Sequence, residues 1–374
     1  MKILQLVTVR QRRGAEVFAT QLADALVTRG AEVIVVGLLP PPPDPLTPER
    51  AQVVDLLSRS ESRFDPVRLR ELTRLILHLR PDLVQANGSQ TFKYGALARR
   101  FVGPRFPLVY RNISVASHWV RNPAQRLLGR WLARSVDHVS SVSEATSLDF
   151  GVTYGVAPER RSVIRRGILI PARIEGAVAR QRLTELAQLP ADARILLHTG
   201  SFSEEKNQAW LIETFAEIRA QRPDVHLFLI GEGELRPAVE RRVTALGLAN
   251  SVHLLGMRRD AAELVAGADL FVLPSRIEGV PGVVLEAAAQ QVPAVATNVG
   301  GMAEAIVDGS TGVLVPLDDR PAFVQAVLDL LSNEEQRQRL GCEARKLVSE
   351  RFSMDATAAA FEDLYGRLLR EHRH

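Results

Sequence analysis

Glu278 and Glu286 stand in the segment SRIEGVPGVVLEAAAQQVP (275–293), and only glycine, valine, leucine and one proline separate them. Proline is favoured at the first helical position and costs about 3 kcal/mol inside a helix, so a helix is expected to start at Pro281. Glu278 then lies in the turn before the helix, and Glu286 lies five residues into it. At 1.5 Å per residue that is roughly 7–8 Å along the axis. Between the two carboxylates fall the free amides of the helix N-terminus and the small residues Gly279 and Gly282. A helix N-terminus binds phosphate, whereas carboxylates accept hydrogen bonds from sugar hydroxyls. A nucleotide-sugar has hydroxyls at each end and a diphosphate in the middle. The plainer alternatives are a helix-flanking carboxylate favoured by the helix dipole for Glu278, and an exposed position on an amphipathic helix for Glu286. The apolar context VVLEAAA, with no polar face, argues against the second.

Such a turn needs a strand before it, and LFVLPS provides one. Apolar runs alternate with helical stretches along the whole chain. In the second half they are RILLHTG, VHLFLIG, VHLLG, LFVLPS and PAVATN. In the first half they are ILQLVTV, EVIVVGL, DLVQAN, PLVYRNI and HVSSVS, with AEVFATQLADALVTRG closing on a C-terminal glycine, Gly30. Short apolar strands separated by helices of 10–15 residues imply parallel sheets covered on both faces. The α/β pattern pauses near RRGILIPARIEG and restarts, which predicts two doubly wound domains, 1–175 and 176–350. A last helix, 351–374, is expected to pack back on the first domain. The PPPPDP tract at 40–45 reads as a stiff loop.

The chain has 374 residues, 46% hydrophobic and 24% charged, which suits a globular protein of two domains. Its opening MKILQLVTV is too short to span a bilayer, and no small-residue cleavage site follows. One cysteine, Cys342, forms no internal disulfide and fits a reducing compartment. The net charge of +4 conceals an uneven distribution, because residues 1–175 hold 26 Lys and Arg against 15 Asp and Glu. A basic front half fits an anionic partner, or a solvated arginine-rich surface.

The Glu278–Glu286 segment resembles the Glu-x7-Glu signature of retaining glycosyltransferases of the GT-B fold, glycosyltransferase family 4. HTGSFSEEKN (198–207) is similar to the loop that ends in a diphosphate-binding lysine, here Lys206. LIGEGEL (229–235) resembles the Gly-x-Gly loop with Gly233, and VHLLGMRRD resembles the loop that reads the base near Met257 and Arg258. VGGMAEAIVDGSTGVLV resembles the closing Gly-Gly segment, and RGAEVFATQLADAL (13–26) the first glycine-rich loop, with Gly14. The resemblance implies two Rossmann-like domains facing a central cleft and sugar transfer from a nucleoside diphosphate donor to a hydroxyl of a glycan, lipid-linked glycan or small molecule. Glu278 would contact the transferred sugar and Glu286 the ribose. The backbone of Gly279, Val280, Pro281, Gly282 and Val283 would approach the sugar and diphosphate, and Lys206 would neutralise the leaving group. No D-x-D signature follows a strand, so no metal or cofactor is expected, the donor being a co-substrate. The implied setting is cytoplasmic, peripheral at the inner membrane face, with no nucleic-acid partner. Alternatives are a GT-B epimerase, a phosphorylase-like enzyme, or a catalytically silent nucleotide-binding protein.

Several positions depart from the family's pattern. Ser201 stands where an arginine is usual, and Arg276, Arg166 and Arg13 are candidates to replace it. Arg13 replaces the first of two glycines and faces either acceptor or solvent. The strand PLVYRNI runs into Arg111 and Asn112 rather than a histidine; His118 follows in ASHW and is either a site residue or a structural one. Asn87, at another strand end, either binds acceptor hydroxyls with these residues or closes the turn. From Trp119 to Arg134, tryptophan and leucine interleave with arginine. That helix either lies in a membrane interface or packs its apolar stripe on the sheet.

Overall fold

A computed structural model describes residues 1–374 apart from Arg59, Glu61, Arg63, residues 171–173 and His374. The chain forms two compact units, one of Met1–Leu169 with Phe352–His374 and one of Ile170–Arg351. The break thus falls between Leu169 and Ile170 rather than at residue 175.

The first unit is built on a seven-stranded parallel sheet of β1 (Lys2–Val7), β2 (Glu32–Gly37), β3 (Gln52–Asp55), β4 (Leu83–Asn87), β5 (Leu108–Asn112), β6 (His138–Ser141) and β7 (Arg161–Val163), in the order β3-β2-β1-β4-β5-β6-β7. The interior strands are apolar because helices cover both faces. On one face lie α2 (Pro66–Leu79), α3 (Ser89–Val102), α5 (Pro123–Ala133) and α6 (Glu144–Tyr154), which share a core with Leu4, Leu6, Val84 and Leu108. A short α4 (Ala116–Trp119) precedes α5. On the other face α1 (Gly14–Thr28) packs with Ile3, Val7 and Val109, and with a helix from the far end of the chain.

The second unit has a six-stranded parallel sheet of β8 (Arg194–Thr199), β9 (Val225–Ile230), β10 (Val252–Gly256), β11 (Leu270–Leu273), β12 (Ala294–Thr297) and β13 (Gly312–Val315), ordered β10-β9-β8-β11-β12-β13. Its helices are α7 (Gly176–Ala187), α8 (Gln208–Gln221), α9 (Arg236–Ala245), α10 (Ala261–Leu264), α11 (Gly282–Ala289), α12 (Met302–Ala305), α13 (Arg320–Ser332) and α14 (Glu334–Arg351). Asp319 caps α13 by accepting from the Ala322 amide at 3.0 Å. The last helix, α15 (Met354–Arg373), belongs to the first unit. In each sheet the order reverses once, between β1 and β4 and between β8 and β11, and such reversals open a crevice at the carboxyl ends of the strands.

Three strands escape a reading by apolar runs: β3, β7 and β13. Each is at a sheet edge, and β3 and β7 have no buried residue. An edge strand is covered less and needs no continuous apolar run. The helix start also shifts by one residue, since Pro281 is the N-cap of α11 (φ −73°, ψ 116°) and Gly282 is its first residue.

The return of α15 is secured by a closed ring of hydrogen bonds in the interior. Tyr365 Oη donates to Gln85 Oε1 at 2.6 Å, and Gln85 Nε2 donates to Asn87 Oδ1 at 3.0 Å. Asn87 Nδ2 donates to Gln5 Oε1 at 2.9 Å, and Gln5 Nε2 donates to Tyr365 Oη at 3.2 Å, closing the circuit. All four residues are buried, and burial pushes the Tyr365 phenol above its usual range. Outside the ring, Arg29 Nε pairs with Glu362 at 2.7 Å, and Ile168 bridges to Phe352 and Met354 by backbone bonds of 2.8 and 2.9 Å. Replacing Tyr365 by Phe leaves buried amide groups of Gln85 and Gln5 without a partner. This variant should lose about 1–3 kcal/mol in urea unfolding, whereas an unchanged midpoint would mean that the ring does not hold α15.

Candidate functional site

β8 and β11 are neighbours at the reversal of the second sheet, so the loops that leave them are adjacent. The loop after β8 ends in a single 3-10 turn, Glu204–Lys206, followed by Asn207 in the left-handed region (φ 58°). Two bonds tie this turn to the loop after β11. The Arg276 amide donates to Glu205 O at 2.7 Å, and Asn207 Nδ2 donates to Pro274 O at 3.3 Å. Lys206 and Glu278 meet as a result, Nζ to Oε1 at 2.5 Å, in a pair with side chains only 20% and 10% exposed. Ser275 Oγ, itself buried, donates to the same carboxylate oxygen at 2.7 Å.

Backbone-on-backbone packing holds these loops, and this is where glycine is required. A Cβ on Gly231 (φ +141°) would lie 2.0 Å from Gly200 O, and one on Gly233 would lie 2.4 Å from Phe202 O. The Gly-x-Gly loop therefore presses on the lysine loop, and the placement of Gly233 follows from that contact. Likewise a Cβ on Gly300 (φ +56°) would meet Glu278 O at 1.9 Å, so the Gly-Gly segment fixes the backbone of the glutamate.

In α11 every residue is buried except Val283 and Glu286, which are half-buried. They are three apart and share one stripe of the helix, the only one that is accessible. Glu286 is thus not on the polar face of an amphipathic helix. The α11 N-terminus has no side-chain cap, and Gly279, Val280, Pro281 and Gly282 are buried around it.

A histidine and a glutamine, neither picked out by sequence motif, underpin the lysine loop. His198 on β8 is fully buried and its Nδ1 lies 3.0 Å from Val272 O, which can only accept. Nδ1 therefore carries the proton, and Nε2 accepts from Gln208 Nε2 at 3.3 Å. Gln208 Nε2 also donates to Ser201 O at 2.8 Å. Burial, aided by the Lys206 charge, lowers the imidazole to about 4, so it stays neutral at pH 7. The position reads in sequence as one more residue of an apolar strand, so only its partners give it meaning.

Of the cations that could stand in for an arginine at Ser201, Arg276 is engaged by Asp318 at 3.0 Å. Arg13 and Arg166 lie in the first unit. There Arg13 is the exposed N-cap of α1, and the Arg166 guanidinium lies across Gly14, 3.1 Å from the place of a Cβ. Met257 is exposed after β10, and Arg258 is held by Asp260 at 2.8 Å, which raises its pKa.

The expected acceptor residues are mostly interior. Asn87 belongs to the ring under α15, with both ends of its amide in use. Arg111 is buried, its guanidinium carbon 3.2 Å from the Phe18 ring centroid on α1, and burial together with Arg166 lowers its pKa. Asn112 Nδ2 donates to Thr146 O at 3.0 Å. These strand ends are roofed by helices rather than open to an acceptor. Arg13 remains at the surface, as does His118, whose ring meets Trp119 edge-on at 5.0 Å between centroids.

Residues 193–333 match the sequence profile of "Glycosyl transferases group 1", and residues 12–169 match that of "Glycosyltransferase Family 4". The chain belongs to glycosyltransferase family 4. The fold agrees. The family 4 chain superposes on sucrose-phosphate synthase of Thermosynechococcus elongatus with a TM-score of 0.85, at 21% identity over 99% of both chains. It superposes on Anabaena Alr3699/HepE, solved with UDP and glucose, with a TM-score of 0.83, at 22% identity over 98% of this chain and all of that one. This is the GT-B fold. Among curated proteins it is 33% identical over 181 residues to the N-acetyl-alpha-D-glucosaminyl L-malate synthase of Bacillus anthracis, covering 48% of this chain and 47% of that protein. It is 32% identical over 282 residues to a D-inositol 3-phosphate glycosyltransferase of Thermobispora bispora, covering 70% and 64%. The chain thus spans about half the length of the first of these relatives. No helix among the described residues is long and apolar enough to cross a membrane.

The neutral His198 has a consequence for acid stability. Its folded pKa, about 4, is below the unfolded value near 6.5, so the unfolded chain binds the extra proton first as pH falls. Its stabilising contribution is complete above about 6.5, is lost progressively toward about 4, and then levels off. His138 and His253, also lowered to about 4 by burial, add to the same loss. Replacing His198 by Gln should flatten part of the fall in urea midpoint over that window. An equally steep fall in the variant would refute the assignment.

Proposed function

We propose that the chain is a retaining, metal-independent glycosyltransferase that moves a sugar from a nucleoside diphosphate donor to a hydroxyl of a glycan, lipid-linked glycan or small-molecule acceptor. The reading rests above all on the contact of Lys206 with Glu278 beside the uncapped N-terminus of α11. Departure of a nucleoside diphosphate develops negative charge on its terminal phosphate, and a fixed cation and helix amides lower the energy of that charge. Lys206 takes this role. Glu278, oriented by Ser275, accepts hydrogen bonds from the transferred sugar, and Glu286 on the accessible stripe of α11 accepts those of the ribose. The loop around Met257 meets the base through backbone groups, since the Arg258 side chain is engaged by Asp260. A UDP-sugar is the first donor to test, because the Anabaena neighbour was solved with UDP and with UDP-glucose.

A second reading, a silent nucleotide-binding protein, draws on Ser201 and on the engagement of Arg276 by Asp318, which leave Lys206 with less cationic help. Titration calorimetry with UDP, GDP and ADP, followed by turnover of the matching labelled sugar donors in EDTA, separates the two. Transfer or hydrolysis should occur, and Lys206→Ala should lower kcat by about 100-fold or more. Glu286→Ala should chiefly weaken nucleotide binding. Tight nucleotide binding with no turnover of any donor would favour the silent reading, and absence of nucleotide binding would exclude both.

A further inference from the structure

His198 and Gln208 are fully buried under the lysine loop, at 0% and 1% exposure. One nitrogen of Gln208 faces two acceptors, His198 Nε2 and Ser201 O, and uses a hydrogen on each. The cost falls on the other end of the amide. Gln208 Oε1 is buried, and among the described residues nothing donates to it. A buried polar atom without a partner costs about 1–3 kcal/mol, and methionine at 208 would have the same length and no such atom. Stability of the fold alone therefore does not account for a glutamine here.

What the two side chains do is visible from Gly200. A Cβ placed there would lie 3.3 Å from His198 Nε2, 3.4 Å from Lys206 Cδ and 3.5 Å from Lys206 Cε. The lysine stem thus crosses the Gly200 backbone with the imidazole edge beside it. The stem has this place because the loop is pinned at both ends. Gln208 holds the Ser201 carbonyl at one end, and Asn207 reaches Pro274 O at 3.3 Å from the other. His198 in turn holds Gln208, and its own ring is fixed by Val272 O on β11. β11 leads on to Ser275 and Glu278, so this strut runs from the strand that carries the carboxylate to the loop that carries the ammonium. A chain of neutral hydrogen bonds thereby sets the separation of two charged groups that meet at 2.5 Å. An imidazolium at 198 could no longer accept from Gln208, and it would stand beside the lysine stem with the same charge.

We propose that His198 and Gln208 are positioning residues of sugar transfer: through Val272 and Ser201 they hold Lys206 where a leaving diphosphate develops its charge. The role rests on the proposed transferase activity and adds to it two residues that touch neither donor nor acceptor. Four variants of the full chain test it. Gln208→Met keeps the volume and removes both bonds, and His198→Leu removes the acceptor. His198→Gln keeps an acceptor for Gln208 and a donor for Val272 O. Val327→Ala, in the core of the same unit on α13, controls for lost stability alone. With the nucleotide-sugar that the parent turns over, Gln208→Met and His198→Leu should lower kcat by about tenfold to 100-fold and shift donor KM by less than about threefold. His198→Gln should return kcat to within about threefold of the parent, and Val327→Ala should leave kcat per folded molecule unchanged. A second readout needs no turnover. In crystals of Gln208→Met without donor the Lys206–Glu278 contact should be lost, and in those of Val327→Ala it should stay. Parent kcat in both Gln208→Met and His198→Leu, a fall of the same size in Val327→Ala, or an unmoved Lys206–Glu278 contact in Gln208→Met overturns the proposal. A parent that turns over no donor removes the transferase reading instead, and the crystals then decide by themselves whether this strut places Lys206.

Discussion

Pairing of β8 with β11 is the constraint on which the second unit's site depends. Leu270 registers with Leu196 and Phe271 with Leu197, although the strands are far apart in the chain. Every other neighbour in this sheet follows from a local crossover, but this one sets two outgoing loops side by side at the carboxyl edge. The lysine loop and the glutamate loop then share bonds from Arg276 and Asn207, and the Lys206–Glu278 contact is their product. Glycines at 231, 233 and 300 serve the same end, letting three backbones approach where any side chain would separate them.

Interior strands were legible because a strand covered on both faces must be apolar throughout, as in LFVLPS and VHLFLI. Of the edge strands only β10, VHLLG, was legible, and β3 and β7 were not, for the opposite reason: QVVD and RSV are half-covered and have no distinctive run. In the site, the placing of Glu278 and Glu286 could be read from local spacing, since the turn, the helix start and the carboxylates occupy one short segment, whereas Lys206 lies 72 positions away and was pointed to only by the resemblance of HTGSFSEEKN. His198 and Gln208 could not, because their roles lie in partners contributed by β11 and by the Ser201 backbone. The burial of two residues expected on the acceptor side could not be read for a similar reason. Asn87 and Arg111 look like open strand ends until α15 covers them, and Tyr365 reaches Gln85 from 280 positions away.

α5 shows a different limit. Periodicity establishes that a helix has an apolar stripe, but not which stripe faces the sheet. Here the inward side is narrow and built of Gly129, Leu132 and Ala133, as the Tyr154 ring leaves no room for more. The larger residues of the pattern are left outside. A packing reading takes leucine and tryptophan as core and arginine as surface, whereas in this helix Leu132 is buried and Leu127 and Leu128 are not, so the place of Gly129 against the Tyr154 ring and not polarity decides which side turns inward.

The Lys206–Glu278 pair also bears on how, under the proposed function, a diphosphate would be received. A charged lysine with little exposure and no partner would cost several kcal/mol in lost hydration. Contact with Glu278 supplies that partner and holds the ammonium in place, with Ser275 holding the carboxylate. Under the proposed function, donor entry is then an exchange of partners. The ammonium turns to the phosphate, and the released carboxylate oxygens take hydroxyls of the sugar. Little new desolvation is needed at that moment, since both groups are already largely withdrawn from water. Under the same proposal, the location of Lys206 between two loops tied by Arg276 and Asn207 keeps that exchange short.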